Sequence, residues 1–174
     1  MRKVTLITTG GTIEKTYDEQ TGELENRRSI VHRMLEELRL DDTRISVLEL
    51  MSKDSLEMTA ADRKRVVEAV GLAGAEGDEE TSGIVILHGT DTLQQTGERL
   101  EEAFPAPAIP IVLTGAWRPY EMKRSDALQN LTESLFAAGN LPPGVYCVAH
   151  GRALAFPGVT KDHDRSTFVR REDR

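Results

Sequence analysis

The sequence predicts an α/β protein, a three-layer sandwich built on a largely parallel, Rossmann-like sheet. Three observations lead there. Short apolar runs rich in β-branched residues recur along the chain, amphipathic stretches of helical period lie between them, and three of the runs end in a glycine beside a hydroxyl residue. Near-continuous apolar runs mark strands covered on both faces. Strands that alternate with helices place those helices against the faces of a parallel sheet.

The runs are Val4–Thr8, Ile45–Leu50, Ile84–Leu87, Ile109–Leu113 and Val145–Ala149. Between them, Ile30, Val31, Met34, Leu35 and Leu38 repeat at helical spacing. Val66, Val67, Val70 and Ala73 form a second stripe, and Thr59 with Asp62 three residues on predicts a capping box at its start. Leu93, Gly97, Leu100 and Phe104 form a third stripe; Leu128, Leu131, Leu135 and Ala138 form a fourth, with Ser125 as its N-cap. Three stretches read as irregular: the polar residues 16–29 with a turn at Gly22, the acidic, glycine-rich residues 74–83, and the nearly all-polar residues 161–174, whose end is expected to fray.

A chain of 174 residues fits one domain with its own core, so residues 1–174 are expected to form a single unit. The formal net charge of −7 disfavours a nucleic-acid partner, which usually leaves a basic footprint. Cys147 is the one cysteine and lies within an apolar run, so it reads as a small buried hydrophobe. No apolar run approaches membrane-spanning length and no secretory pattern follows Arg2 and Lys3. No membrane partner is therefore expected, and the expected compartment is cytoplasmic.

In parallel sheets, ligands bind beyond the carboxyl ends of the strands. Those ends carry Thr8-Thr9-Gly10-Gly11-Thr12, His88-Gly89-Thr90-Asp91-Thr92 and Thr114-Gly115-Ala116-Trp117-Arg118-Pro119. Neither GxxxxGK[ST] nor GxGxxG occurs, so a phosphate cradle lacks its motif. His32, His88, His150 and His163 are scattered without partners at ligand spacing, so neither a metal nor a cofactor is expected. His88, closing a buried run, reads as structural. Hydroxyl chemistry remains. A threonine nucleophile needs a nearby base and donors for the developing oxyanion, and glycine turns bare backbone N–H groups for that second task. Thr12, Tyr17, Thr90, Asp91 and Lys161 are the available parts, although spacing does not assemble them.

At these residues the sequence resembles the bacterial-type L-asparaginases, a family of threonine amidohydrolases. "TTGGTIEK" looks like the family's first signature and "ILHGTDTL" like its second. "VLTGAWRP", "DALQNL" and "GVTK" follow in the family's order, and the resemblance runs from about residue 3 to about residue 168. It implies that the activity is hydrolysis of L-asparagine to L-aspartate and ammonia through an acyl-threonine. Thr12 would be the nucleophile, with Tyr17 brought to it by a lid loop. Thr90, Lys161 and Asp91 would form a second hydroxyl–amine–carboxylate relay. Asp91 would hold the substrate α-ammonium and Ser55 the α-carboxylate, with Gly11 and Gly89 lining the substrate site. Lys161 could act as a base only if burial lowers its pKa.

Each assignment has a plainer alternative. Thr12 could cap a turn, Tyr17 could be a surface ring, and Ser52 competes with Ser55. Lys161 could be a solvated lysine of the tail, Trp117 reads as packing, and Arg118 could pair with Asp126. The sequence also departs from the family. Members typically carry a second, C-terminal domain, so this chain resembles a short single-domain form or a shortened piece. Leu56 stands where many members have a polar residue. These departures leave glutamine or another amino-acid amide open as substrate, and also a non-catalytic aspartate or asparagine sensor. A homodimer is the expected assembly, since two-fold pairs are the commonest.

Overall fold

The computed structural model describes residues 1–77 and 80–173. In chain order the strands are β1 (Arg2–Gly10), β2 (Thr16–Tyr17), β3 (Leu24–Glu25), β4 (Thr43–Lys53), β5 (Gly83–Leu87), β6 (Pro110–Thr114), β7 (Gly144–Ala149), β8 (Arg152–Ala155), β9 (Val159–Asp162) and β10 (Thr167–Arg170). The α-helices are α1 (Val31–Glu36), α2 (Ala60–Leu72), α3 (Leu93–Ala103) and α4 (Ala127–Ala138).

The main sheet has the order β4-β1-β5-β6-β7-β8. Every pairing in it is parallel except β7 with β8. Alternate residues of one strand feed two cores. Ile84 and Ile86 of β5 join Val66, Val70, Leu93 and Leu100 from α2 and α3. Val85 and Leu87 join Val31, Met34, Leu131 and Leu135 from α1 and α4. This is the three-layer α/β sandwich expected from the runs. β4 lies on one side of β1 and β5 on the other, so the order reverses at β1. Such a switch point opens a crevice beyond the strand ends, here between β1 and β5.

The helix starts follow their local chemistry. Thr59 and Asp62 make the full capping box of α2. The N-cap of α4 is Asp126 and not Ser125 as expected; Ser125, one residue earlier, accepts the Ala127 N–H at 3.0 Å. Gly97 is in α3 because the Phe156 ring needs its space: a Cβ there would lie 2.1 Å from the ring.

Two irregular stretches are corrected. The polar tail is not irregular throughout: β10 pairs antiparallel with β9, and Phe168 and Val169 are buried. Two apolar residues in a polar context supply too weak a pattern to read as a strand. The polar stretch 16–29 contains a hairpin, β2 with β3, whose turn is tied by the Gly22 N–H to the Asp18 carbonyl at 2.7 Å. Residues 74–83 are only partly solvated. Ala75 is buried and its carbonyl accepts the Ala108 N–H, while positions 78 and 79 lie outside the described residues.

Gly97→Ala should destabilise the protein by about 1–3 kcal/mol through overpacking against Phe156. Calorimetry should show the unfolding midpoint falling by several degrees; an unchanged midpoint would mean the ring moves aside at no cost.

Candidate active site

The loop after β1 starts with two glycines at positive φ, Gly10 at 97° and Gly11 at 81°. Their backbone runs where no side chain fits. A Cβ on Gly10 would lie 2.5 Å from the Lys53 nitrogen, and one on Gly11 2.4 Å from the Gly89 nitrogen. A single 3-10 turn, Thr12–Glu14, follows. Glu14 braces this turn from beneath. Its carboxylate accepts the Gly10 N–H at 3.2 Å and the Ser29 hydroxyl. Burial pushes its pKa up, against the lowering effect of these hydrogen bonds. Asn26, just beyond the hairpin, donates to the Gly11 carbonyl at 2.8 Å. The Thr12 side chain is half-buried, and its hydroxyl makes no hydrogen bond among the described residues.

The loop after β5 is set by His88, which is fully buried. Nδ1 lies 2.9 Å from the Gly89 carbonyl and Nε2 2.8 Å from the Thr96 hydroxyl. Burial lowers its pKa to about 4, so the ring is neutral near pH 7: Nδ1–H donates to Gly89 and Nε2 accepts from Thr96. A Cβ on Gly89 would lie 2.5 Å from the Ser55 hydroxyl. Ser55 opens the 3-10 turn Ser55–Glu57 after β4 and is buried. Its Oγ accepts the Thr92 N–H at 3.3 Å, and its carbonyl accepts the Thr92 hydroxyl at 2.9 Å. Ser52 lies instead beside Gly10, with its Oγ buried and unpaired.

Lys161 comes from β9, outside the main sheet. Its Nζ donates to the Thr90 hydroxyl at 2.8 Å and to Asp91 at 2.7 Å. The side chain is 11% exposed, so it is not a solvated lysine of the tail. Nζ also sits 5.2 Å over the Trp117 ring, and that ring packs against Phe168 and His150. Trp117 is packing, as expected, and what it packs is the platform under Lys161. Arg118 does not pair with Asp126 through its guanidinium. Asp126 accepts the backbone N–H groups of Trp117 and Arg118, together with Asn130 Nδ2 and His150 Nε2. Burial would raise the Asp126 pKa, but these hydrogen bonds outweigh it and hold the carboxyl below the usual range.

Thr12, Ser55, Gly11, Gly89, Thr90, Asp91 and Lys161 thus meet at one edge, either directly or through the Gly11–Gly89 contact. Tyr17 does not join them. It is 58% exposed, and its backbone N–H donates to Glu121 at 2.9 Å. The polar groups of Gly11 are already engaged, its N–H by the Lys53 carbonyl and its carbonyl by Asn26. Among the described residues, no three His, Cys, Asp or Glu side chains converge as metal ligands.

The family model "Asparaginase, N-terminal" matches residues 3–169. The chain belongs to the asparaginase family. It is 31% identical to an L-asparaginase of Thermococcus kodakarensis over 92% of this chain and 48% of the relative. It is 35% identical to a glutamyl-tRNA(Gln) amidotransferase subunit from Pyrobaculum aerophilum over 80% of this chain and 33% of the relative. The structure of the thermostable L-asparaginase from Thermococcus kodakarensis superposes with a TM-score of 0.86 at 30% identity, covering 97% of this chain and 51% of that one. The chain therefore spans about half the length of these asparaginase relatives.

Several residues that shape this candidate site carried no signal in the sequence. Glu14 and Asn26 brace the Thr12 turn. Arg63, a buried residue of the first turn of α2, donates to Thr92 at 2.8 Å and steadies the neighbour of Asp91. Lys15 pairs with Asp54 at 2.7 Å, and that hydrogen bond lowers the Asp54 pKa. The one available hint was a charged residue beside a glycine motif, which is too common to single out.

His88 couples stability to pH. Its pKa near 4 when folded lies below the ordinary value of 6.5, so the unfolded chain binds more protons between those values. Stability should therefore fall as pH drops, by about 2 kcal/mol from pH 6.5 to 5. Urea unfolding at a series of pH values should show this slope, and His88→Gln should flatten it. An equal slope in the variant would clear His88.

Proposed function

We propose that this chain hydrolyses L-asparagine to L-aspartate and ammonia through a covalent acyl-threonine. The observation that carries the reading is the Thr90–Lys161–Asp91 relay, standing across the Gly11–Gly89 contact from a Thr12 hydroxyl that no described residue engages.

In this reading Thr12 Oγ1 attacks the side-chain amide carbon. Its proton leaves through Tyr17 and is delivered to the departing nitrogen, which is released as ammonia. Water activated at the Thr90–Lys161–Asp91 relay then cleaves the ester and returns the proton to Thr12. Lys161 can accept a proton from Thr90 only after passing one to Asp91, and the hydroxyl–amine–carboxylate order provides that route. The backbone N–H of Thr90 faces the oxyanion. Asp91, 40% exposed, holds the α-ammonium, and the Ser55 hydroxyl holds the α-carboxylate. Gly89 leaves the space through which Ser55 reaches the substrate. Gly11 contributes that closeness rather than a hydrogen bond. Tyr17 requires the β2–β3 hairpin to swing over Thr12, as active-site lids do.

A second reading, glutamine as substrate, is favoured by the similarity to the glutamyl-tRNA(Gln) amidotransferase subunit. Leu56, 71% exposed beside Ser55, offers no polar contact and leaves a binding-only sensor as the competing class. We assign the whole of 1–174 to one catalytic unit, acting as a cytoplasmic homodimer. No described helix is long and apolar enough to cross a membrane. A monomer in sedimentation would refute the dimer.

Ammonia release should be faster from asparagine than from glutamine. Thr12→Ala should cut kcat at least about a thousandfold while the protein stays folded. Lys161→Met should cost about 10²–10⁴-fold. Faster release from glutamine would favour the second reading. Tight aspartate binding without any ammonia would establish the sensor.

A further inference from the structure

A cavity of about 690 Å³ lies outside the Thr12–Lys161 cleft, with Thr16, Arg28, Ile30, Arg33 and Glu121 in its walls. None of Thr12, Ser55, Thr90, Asp91 or Lys161 lines it. Its lining carries three guanidinium groups and an imidazole against one carboxylate, in a chain whose net charge is −7. An acidic protein concentrates cations on one wall at a cost in mutual repulsion, and an anion in the cavity would relieve it.

The cations are not equally spent. Arg27 is structural: it pairs with Asp18 and with Glu25, the latter at 2.9 Å, and ties the base of the β2–β3 hairpin. Arg33 stands 3.8 Å from Glu121 and His32 3.9 Å from Glu49, both too far for hydrogen bonds. Arg28 is exposed and makes no ion pair or hydrogen bond among the described residues. Arg28 and Arg33 therefore present planar donor forks with capacity left, the geometry that grips carboxylate or phosphate oxygens two at a time.

We infer that this cavity is a binding site for a small organic dianion, held between Arg28 and Arg33. The volume falls in the range of small-molecule sites and exceeds what a bare anion fills. Ile30, buried at the floor, offers an apolar surface to the organic remainder. Phosphate monoesters and dicarboxylates share this chemistry.

The site adjoins the hairpin that carries Tyr17. Thr16 of β2 lines the cavity, and Glu121 faces Arg33 with one oxygen while accepting the Tyr17 N–H with the other. A ligand that draws Arg33 away leaves Glu121 wholly to Tyr17, so occupancy should hold the hairpin where it is seen here.

The test is isothermal titration at constant ionic strength with glycerol 3-phosphate, succinate and inorganic phosphate. The expected result is saturable binding at one site per chain, weakened at least about tenfold in Arg28→Gln and in Arg33→Gln. Lys64→Gln, an exposed charge change on α2, should bind as the parent does. Tighter glycerol 3-phosphate identifies a phosphate ester, and tighter succinate a dicarboxylate; either result supports the site. Amide exchange at Tyr17 should slow on binding. Absence of saturable heat with all three probes, or equal binding in both arginine variants, overturns the inference whether or not the chain releases ammonia.

Discussion

The site depends on backbone packed against backbone at Gly11 and Gly89. The loops that follow β1 and β5 approach so closely that a Cβ on either glycine would overlap the opposite chain or the Ser55 side chain. A parallel sheet brings neighbouring strand ends to one edge, but it leaves about 5 Å between strands. Only residues without side chains let the loops beyond those ends close that gap. Thr12, Ser55 and Thr90 come from three separate elements, and this contact holds them as neighbours. The remaining groups are arranged around it: Glu14 and Asn26 hold the β1 loop, while His88 and Thr96 hold the β5 loop.

Lys161 reaches the same edge by another route. It sits on a two-stranded hairpin that pairs with nothing in the main sheet. Its position is fixed by packing: Phe168 stands opposite Lys161 in the β9–β10 register and touches Trp117, whose ring lies beneath the ammonium. Trp117 is held in turn by Asp126, which gathers two backbone N–H groups, Asn130 and His150. His150 also meets Thr167 of β10 at 3.1 Å, closing the circuit back to the hairpin. A partly buried hydrogen-bond network of this kind favours one geometry over several. The lysine is placed by a chain of contacts running through the ends of β6, β7 and α4.

Thr12, the proposed nucleophile, and Tyr17, proposed to serve it, stand on supports of unequal strength. The Thr12 turn rests on buried hydrogen bonds. The hairpin that carries Tyr17 is a two-residue ladder closed by backbone hydrogen bonds in its own turn, and exposed ion pairs such as Arg27 with Glu25 add at most about 1 kcal/mol each. An element held in this way can open and close within the free energy that binding a small ligand supplies. A firm Thr12 turn beside a yielding flap would suit the proposed reaction, which must admit an amide, exclude water during attack and then admit water to break the ester.

By itself the sequence determined the layers and the edge on which to look. Continuous apolar runs separated by amphipathic stripes are dictated by burial on both faces of a sheet, and this local periodicity is written in the residue order. The glycine and hydroxyl residues at the ends of β1, β5 and β6 were legible for the same reason, since each strand end is a local event. The capping box of α2 and the buried setting of His88 were legible too. Tertiary structure decided what no local pattern encodes. Strand order, with its reversal at β1, depends on which strands pair across long separations. The β9–β10 hairpin buries only Val159, Phe168 and Val169, the last two within a polar tail, and its docking depends on Trp117, far earlier in the chain. The roles of Glu14, Asn26 and Asp126 arise from partners that meet only after folding. A charged or amide side chain reads as solvated until the fold removes its water and supplies the groups that replace it.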